Sequence, residues 1–333
     1  LLTAVVEGRH LSTGEAAAAM RHMISGEASP ALTGALLTAL RMKGETADEI
    51  TGFAEGMRHH AVGIEPRCER LVDTCGTGGG DIRTFNISTT AAFVVAGAGV
   101  SVAKHGNRAM SSTCGSADLL EALGVRIDLS PERVCRCIEE VGIGFLFAQA
   151  HHPAMRHVAA VRGELPFRTV FNCLGPLTNP AGARAQLVGV YEERLVPLLA
   201  EVLLRLGCER ALVVHGRDGL DELSTLGPSS VAEVRDGSLR LGELMPEELG
   251  LPRARPADIA PGHTVQENAA ISRALLSGQP GPRREIVLLN AAAALVAAGA
   301  AADLREALGL AAESLDSGAA HARLEALVAA TNG

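Results

Sequence analysis

Hydrophobic and polar positions divide the chain into two textures. Residues 1 to about 66 read as short amphipathic helices, over 13–24, over 29–41 from a Ser29-Pro30 entry, and over 46–60 from a Thr46-x-x-Glu49 capping box. No strand pattern interrupts them. From Leu71 onward, short β-branched runs (LVDTC, VSVAK, GFLFA, ALVVH and IVLLN) alternate with helix-length segments. Such alternation predicts a mostly parallel sheet with crossover helices. The stretch from His151 to about Pro180 carries no strand signal and reads as two helices ending at a Gly-Pro breaker, returning to pack on the N-terminal helices. The expected fold is α/β: a small all-helical domain over 1–66, joined by the helices of about 151–180, and a large α/β domain over 67–333 whose central sheet is flanked by helices.

Composition narrows the function classes. A chain of 333 residues can bury a large core without metals or disulfides. With 30 Lys+Arg against 38 Asp+Glu and eight aromatics in all (seven Phe, one Tyr, no Trp), neither a phosphate-neutralising surface nor base-stacking platforms are on offer, so no nucleic-acid partner is expected. The seven cysteines form no CxxC pair and no zinc spacing, and read as reduced thiols of a cytoplasmic protein. No apolar run is long enough to span a membrane, and the N-terminus LLTAVVEGRH lacks secretory-signal features.

Four segments carry chemistry. In Val72 to Asp81 a strand runs into a loop with four glycines in five residues, and Asn86, Ser88 and Thr89 then open an apolar helix. Bare backbone N–H groups at a helix N-terminus suit phosphate, although the spacing matches neither the P-loop nor the dinucleotide fingerprint. Lys104-His105-Gly106-Asn107-Arg108 follows the next strand and leads to the Ser/Gly-rich stretch Ser111 to Asp118. Ligands of α/β folds bind at such strand ends, although a loop of this composition is often a solvated turn. Asp221 and Glu222 close the loop that begins at His215; adjacent carboxylates can face a hard cation such as Mg²⁺, or can simply form an acidic turn. The fourth segment is His151-His152-Pro153-Ala154-Met155-Arg156-His157 with Arg162, where Pro153 can start a helix; His59-His60 reads as plain surface.

Taken together and in order, D-T-C-G-T-G-G-G, T-F-N-I-S-T, K-H-G-N-R, G-S-A-D-L-L, H-H-P-A-M-R-H, F-N-x-L-G-P-L-T-N-P and G-x-D-E resemble the anthranilate phosphoribosyltransferases of tryptophan biosynthesis, over nearly the whole chain. The resemblance implies Mg²⁺-dependent transfer of phosphoribose from phosphoribosyl diphosphate (PRPP) to the amine of anthranilate, in a homodimer formed through the helical part. By matched position it places PRPP contacts on Gly76, Gly79, Thr84, Asn86, Ile87, Ser88, Thr89, Lys104, His105, Gly106, Asn107, Arg108, Ser111, Ser112 and Ser116. Anthranilate contacts fall on Gly76, Asn107 and Arg162, and Mg²⁺ on Ser88, Asp221 and Glu222.

No nucleophilic side chain or strong base is implied, because displacement at the anomeric carbon needs mainly charge stabilisation and orientation. The sequence departs from the family at Gly80-Asp81, where Asp-Gly is usual, at Thr113 and Cys114, where Lys and Ser are frequent, and at Gln149, where Pro is common. Rival readings are a pyrimidine nucleoside phosphorylase of related fold and a nucleic-acid-binding relative without transferase chemistry. Chain length and the loop sequence oppose the first; net charge −8 and the retained Asn107, Arg162, Asp221 and Glu222 oppose the second.

Overall fold

The structure, a computed structural model, describes residues 1–109 and 113–333. Four helices come first: α1 (Leu2–Val6), α2 (Thr13–Ile24), α3 (Pro30–Lys43) and α4 (Ala47–Arg58). Their starts follow from capping: Ser12 and Thr46 each close a capping box with a glutamate three residues on, and Ser29 caps a helix whose first residue is Pro30. Glu49 of the second box is fully buried. Its carboxylate takes the N–H groups of Leu11 and Thr46 and the Lys43 ammonium at 2.8 Å, pinning α2, α3 and α4 together.

The remainder alternates strands and helices: β1 (Leu71–Asp73), α5 (Ile87–Gly97), β2 (Ser101–Gly106), α6 (Ser116–Ala122), α7 (Pro131–Val141), β3 (Ile143–Phe147), α8 (Ala148–His151), α9 (Arg156–Glu164), α10 (Phe171–Leu174), β4 (Ala185–Gly189), α11 (Leu195–Arg205), β5 (Arg210–Gly216), β6 (Ser229–Arg235), β7 (Ser238–Leu244), α12 (Val265–Leu276), α13 (Pro282–Ala297), α14 (Leu304–Asp316) and α15 (Ala319–Asn332). Among the described residues, seven strands form one sheet in the order β3-β2-β1-β4-β5-β6-β7. β1 to β5 are parallel, and the β6–β7 hairpin adds antiparallel at one edge through an Asp236-Gly237 turn with both φ positive.

One expected strand is corrected. IVLLN lies inside α13, where Ile286 to Leu295 is buried throughout between α5 and α14. A short apolar run fits a buried helix as well as a buried strand, and the Pro282 start with Glu285 in the first turn decides for helix. The sheet instead gains β4, β6 and β7, which the pattern did not predict.

Adjacent residues of β4 and β5 supply two different cores, as alternating side chains must. Leu187, Leu212 and Val214 join α5 and α12 to α15 on one face; Val188, Ala211 and Val213 join α11 and the N-terminal helices on the other. α9 and α10, from the 151–180 region, pack into this second core beside α2, α3 and α4. No disulfide links the described residues; Cys68 and Cys135 are half-buried and the other five cysteines are buried. No helix among the described residues is long and apolar enough to cross a membrane.

Candidate active site

The chain turns left from β1 to β2 and β3, then crosses back to β4, so the loops after β1 and β4 meet at a topological switch point, where α/β sheets place ligands. Contact there is backbone to backbone. Thr77 N–H donates to Gly189 O at 2.8 Å, and a Cβ on Gly189 would collide with the carbonyl oxygen of Asp221. Only glycine lets the loops after β1, β4 and β5 converge this closely.

They open into a cleft of about 590 Å³, bounded on one side by the end of β2 and the loops after β1 and β5 and on the other by Met57 of α4, His152, Met155, Arg162 of α9, Arg168 and Phe171. The structure brings together in this cleft Gly76, Gly79, Thr84, Asn86, Ile87, Ser88, Thr89, Lys104, His105, Gly106, Asn107, Arg108, Ser116, Arg162, Asp221 and Glu222. Ser111 and Ser112 lie outside the described residues.

At the floor, Ile87, Ser88 and Thr89, the first residues of α5, line the cleft. Asn86 spends its Nδ2 on Cys114 O at 2.9 Å, which ties the two loops together, while its buried Oδ1 has no partner among the described residues. Lys104 is buried and donates from Nζ to Thr74 O. Beneath it, Asp73 accepts from His105 N–H and from Asn179 Nδ2, and burial pushes its carboxyl up to about 6 against the pull of Lys104.

Asp221 and Glu222 stand together at the cleft wall. Burial first, and the neighbouring Asp221 second, push Glu222 up to about 8, with Lys104 and the Ser88 hydroxyl and N–H opposing. Burial likewise raises Asp221. Two crowded carboxylates with a serine hydroxyl are an oxygen set that a hard divalent cation would relieve, so the residues fit Mg²⁺. A second group, Asp73, Cys75 and His105, places ligand atoms within 4.8 Å of one another. Its sulfur and nitrogen donors do not suit Mg²⁺, and burial keeps the Cys75 thiol protonated, pushed up to about 12.

At the helical side, the Arg162 guanidinium lies 4.9 Å from the centroid of the Phe171 ring. Burial lowers its pKa, and no carboxylate or carbonyl among the described residues takes its N–H groups. Two neutral imidazoles complete this wall. His105 donates Nδ1–H to Gly175 O and is pushed down to about 3, mainly by burial; His152, 5.3 Å away centroid to centroid, is pushed down to about 4 by burial and His151.

Three positions differ from simple expectation. Arg108 reaches the cleft, but its guanidinium is held by Glu121 and Asp118. Gly80 packs so closely that a Cβ would lie 2.7 Å from Asp221 Oδ1, and the adjacent Asp81 is exposed, its N–H bonded to Gly219 O. Arg168, which sequence reasoning passed over, lines the cleft and donates to Gly79 O. Its partners lie far away in sequence, so no local motif marks it.

Comparison with known proteins places this geometry. Residues 1–61 match the glycosyl transferase family helical bundle domain and residues 68–321 the glycosyl transferase family a/b domain. A curated anthranilate phosphoribosyltransferase of Moorella thermoacetica is 59% identical over 328 residues, covering 98% of this chain and 96% of the relative. The crystal structure of an anthranilate phosphoribosyltransferase from Thermus thermophilus superposes with TM-score 0.95 at 49% identity, covering 100% of this chain and 99% of that one. The Saccharomyces cerevisiae anthranilate phosphoribosyltransferase in complex with PRPP and Mg gives TM-score 0.90 at 27% identity over 99% and 98% of the two chains. With its helical bundle, its α/β domain and near-complete coverage by close relatives all in agreement, the chain belongs to the anthranilate phosphoribosyltransferase family.

Proposed function

We propose that this cleft transfers the phosphoribosyl group of PRPP to the amine of anthranilate, releasing diphosphate, through an oxocarbenium-like transition state with no covalent enzyme intermediate. The observation that carries the reading is the occurrence, in one cleft, of an Arg162 guanidinium without an acceptor among the described residues and a Gly-rich loop and helix N-terminus. One end suits a carboxylate and the other a diphosphate.

In this reading the amides of Gly76, Gly78 and Gly79 and of Thr89 in the first turn of α5, with Lys104, hold the diphosphate and stabilise the charge that grows on it as its bond to the anomeric carbon breaks. Asn86 Oδ1 accepts from a ribose hydroxyl. Mg²⁺, held by Ser88, Asp221 and Glu222, supplies further neutralisation of the diphosphate when bound. Arg162 grips the anthranilate carboxylate, and Asn107, Gly76 and the neutral wall of His152, Met57, Met155 and Pro176 hold the ring so that the amine faces the sugar. The new N–C bond makes the aryl nitrogen acidic, so its proton passes to water without a strong base. The neutral state of His105 and His152 agrees with that assignment. Val6 on α1 and Leu32 and Met42 on α3 are exposed, which supports pairing of two copies through the helical face.

The test is direct. Mixed with anthranilate, PRPP and Mg²⁺, the protein is expected to quench anthranilate fluorescence with turnover, and no loss of signal sinks the reading. Arg162→Ala is expected to raise KM for anthranilate about 10- to 100-fold while changing KM for PRPP little. The reverse pattern would show that Arg162 serves the other substrate.

A further inference from the structure

Arg168 sits in the turn between α9 and α10, in a setting unlike that of the chain's ion-paired arginines. Its guanidinium carbon lies 3.9 Å from the centroid of the Tyr191 ring, close enough to make a cation–π contact, and one Nη2 N–H donates to Gly79 O. Gly79 has φ +84°, and a Cβ there would come 2.9 Å from Arg168 Nη2, so the bare glycine is what admits the guanidinium to the loop. Tyr191 is fixed in turn, since its N–H donates to the hydroxyl of Thr77 in the same loop. The arginine is thus held on one face by an aromatic ring and at one corner by the Gly-rich loop.

The rest of its donors have no acceptor among the described residues, and no described carboxylate lies within ion-pair distance. Other arginines of the chain are ion-paired, Arg108 with Glu121, Arg217 with Glu193 and Arg255 with Asp258, whereas Arg168, like Arg162, is not. A guanidinium presents five N–H groups in a fixed fork matched to phosphate oxygens, and this one keeps most of them free at the rim of a phosphate-binding loop.

We propose that Arg168 is a further diphosphate-binding residue, its guanidinium bridging the Gly79 carbonyl and the leaving diphosphate while lying on Tyr191. The proposal rests on the reading of the Gly76 to Gly80 loop as the diphosphate site. It carries a second consequence. Tyr191 is the one tyrosine of a chain without tryptophan, so its emission reports directly on the guanidinium above it and hence on occupancy of the loop.

The experiment titrates inorganic diphosphate with Mg²⁺ into the wild-type chain, Arg168→Ala and Arg168→Lys, following heat and tyrosine emission, with steady-state kinetics alongside. Wild-type emission is expected to change saturably with diphosphate. Arg168→Ala is expected to weaken diphosphate binding about tenfold or more, to lower kcat/KM for PRPP similarly, and to leave KM for anthranilate within about twofold. Arg168→Lys should recover part of the loss, since an ammonium keeps the charge and loses the fork. Unchanged diphosphate affinity in Arg168→Ala overturns the proposal and leaves the reading of the loop standing. An equal rise in both KM values also overturns it, because that is the pattern of a loosened cleft. Failure of the wild type to bind diphosphate at all overturns the reading on which the proposal rests.

Discussion

A methyl group at position 80 would meet Asp221 Oδ1 at 2.7 Å, Gly219 O at 2.8 Å and Asp221 N at 3.0 Å, and two of those three contacts are backbone. Gly80→Ala must therefore displace the loop that carries Asp221. We expect the Mg²⁺ concentration needed for half-maximal turnover to rise about 10- to 100-fold, as when groups supporting a metal ligand are removed, and a Mg²⁺ titration of the variant checks it. The loop has no room for a side chain at 80, and the carboxylate of Asp81 points to solvent beside Gly219. At this scale the sequence singled out residues that the structure gathers in one cleft: the glycines and Lys104 by their own chemistry, and Arg162 and Asp221 with Glu222 through their context and the family resemblance. Arg168 and the quieting of Arg108 were not, because each depends on partners brought from elsewhere by the fold.

Among the elements, the N-terminal helices could be read closely because their boundaries are set by local chemistry, a capping serine or threonine and a proline entry. What could not be read is that Glu49, a capping residue by its spacing, is also the buried counter-ion of Lys43 and the acceptor for Leu11 in a different segment. Glu49→Ala strands an almost wholly buried ammonium and two backbone donors, and is expected to cost about 3 kcal/mol or more, read as a lower urea midpoint at unchanged slope. Burial pushes the Glu49 carboxyl up, but Lys43 and the Leu11 and Thr46 amides outweigh it and hold it below its ordinary value. Its contribution is therefore fully present above the ordinary carboxylate pKa and is lost as pH falls through the lower folded one, so Glu49→Gln should show a shallower acid dependence. The strands were harder. IVLLN failed as a strand because apolar content without periodicity names burial and not geometry, and β4 and the exposed β7 lacked the β-branched density that marked their neighbours.

For the molecule as a whole, the boundary near residue 66 marks a change of texture but not a separation of cores. The N-terminal helices, α9, α10, α11 and one face of the sheet share a single apolar cluster. Unfolding should accordingly be one transition: far-ultraviolet circular dichroism, weighted by all helices, and the emission of Tyr191, which packs against this shared core, should lose their native signals at the same urea concentration. Two separated midpoints would show that the helical part opens independently. That continuity was hidden from the sequence because the joining residues, Val188, Ala211 and Val213, lie on strands whose alternation gives two faces without saying what covers each. The distribution of thiols follows from the same packing and has a practical side. With five cysteines enclosed and only Cys68 and Cys135 half-open, both bordering one small cluster beneath β2, β3 and α7, the native protein offers thiol-directed reagents a single address. A probe could be attached there without altering the sequence, and the remaining five would act as a clock, becoming modifiable only as fast as the interior opens.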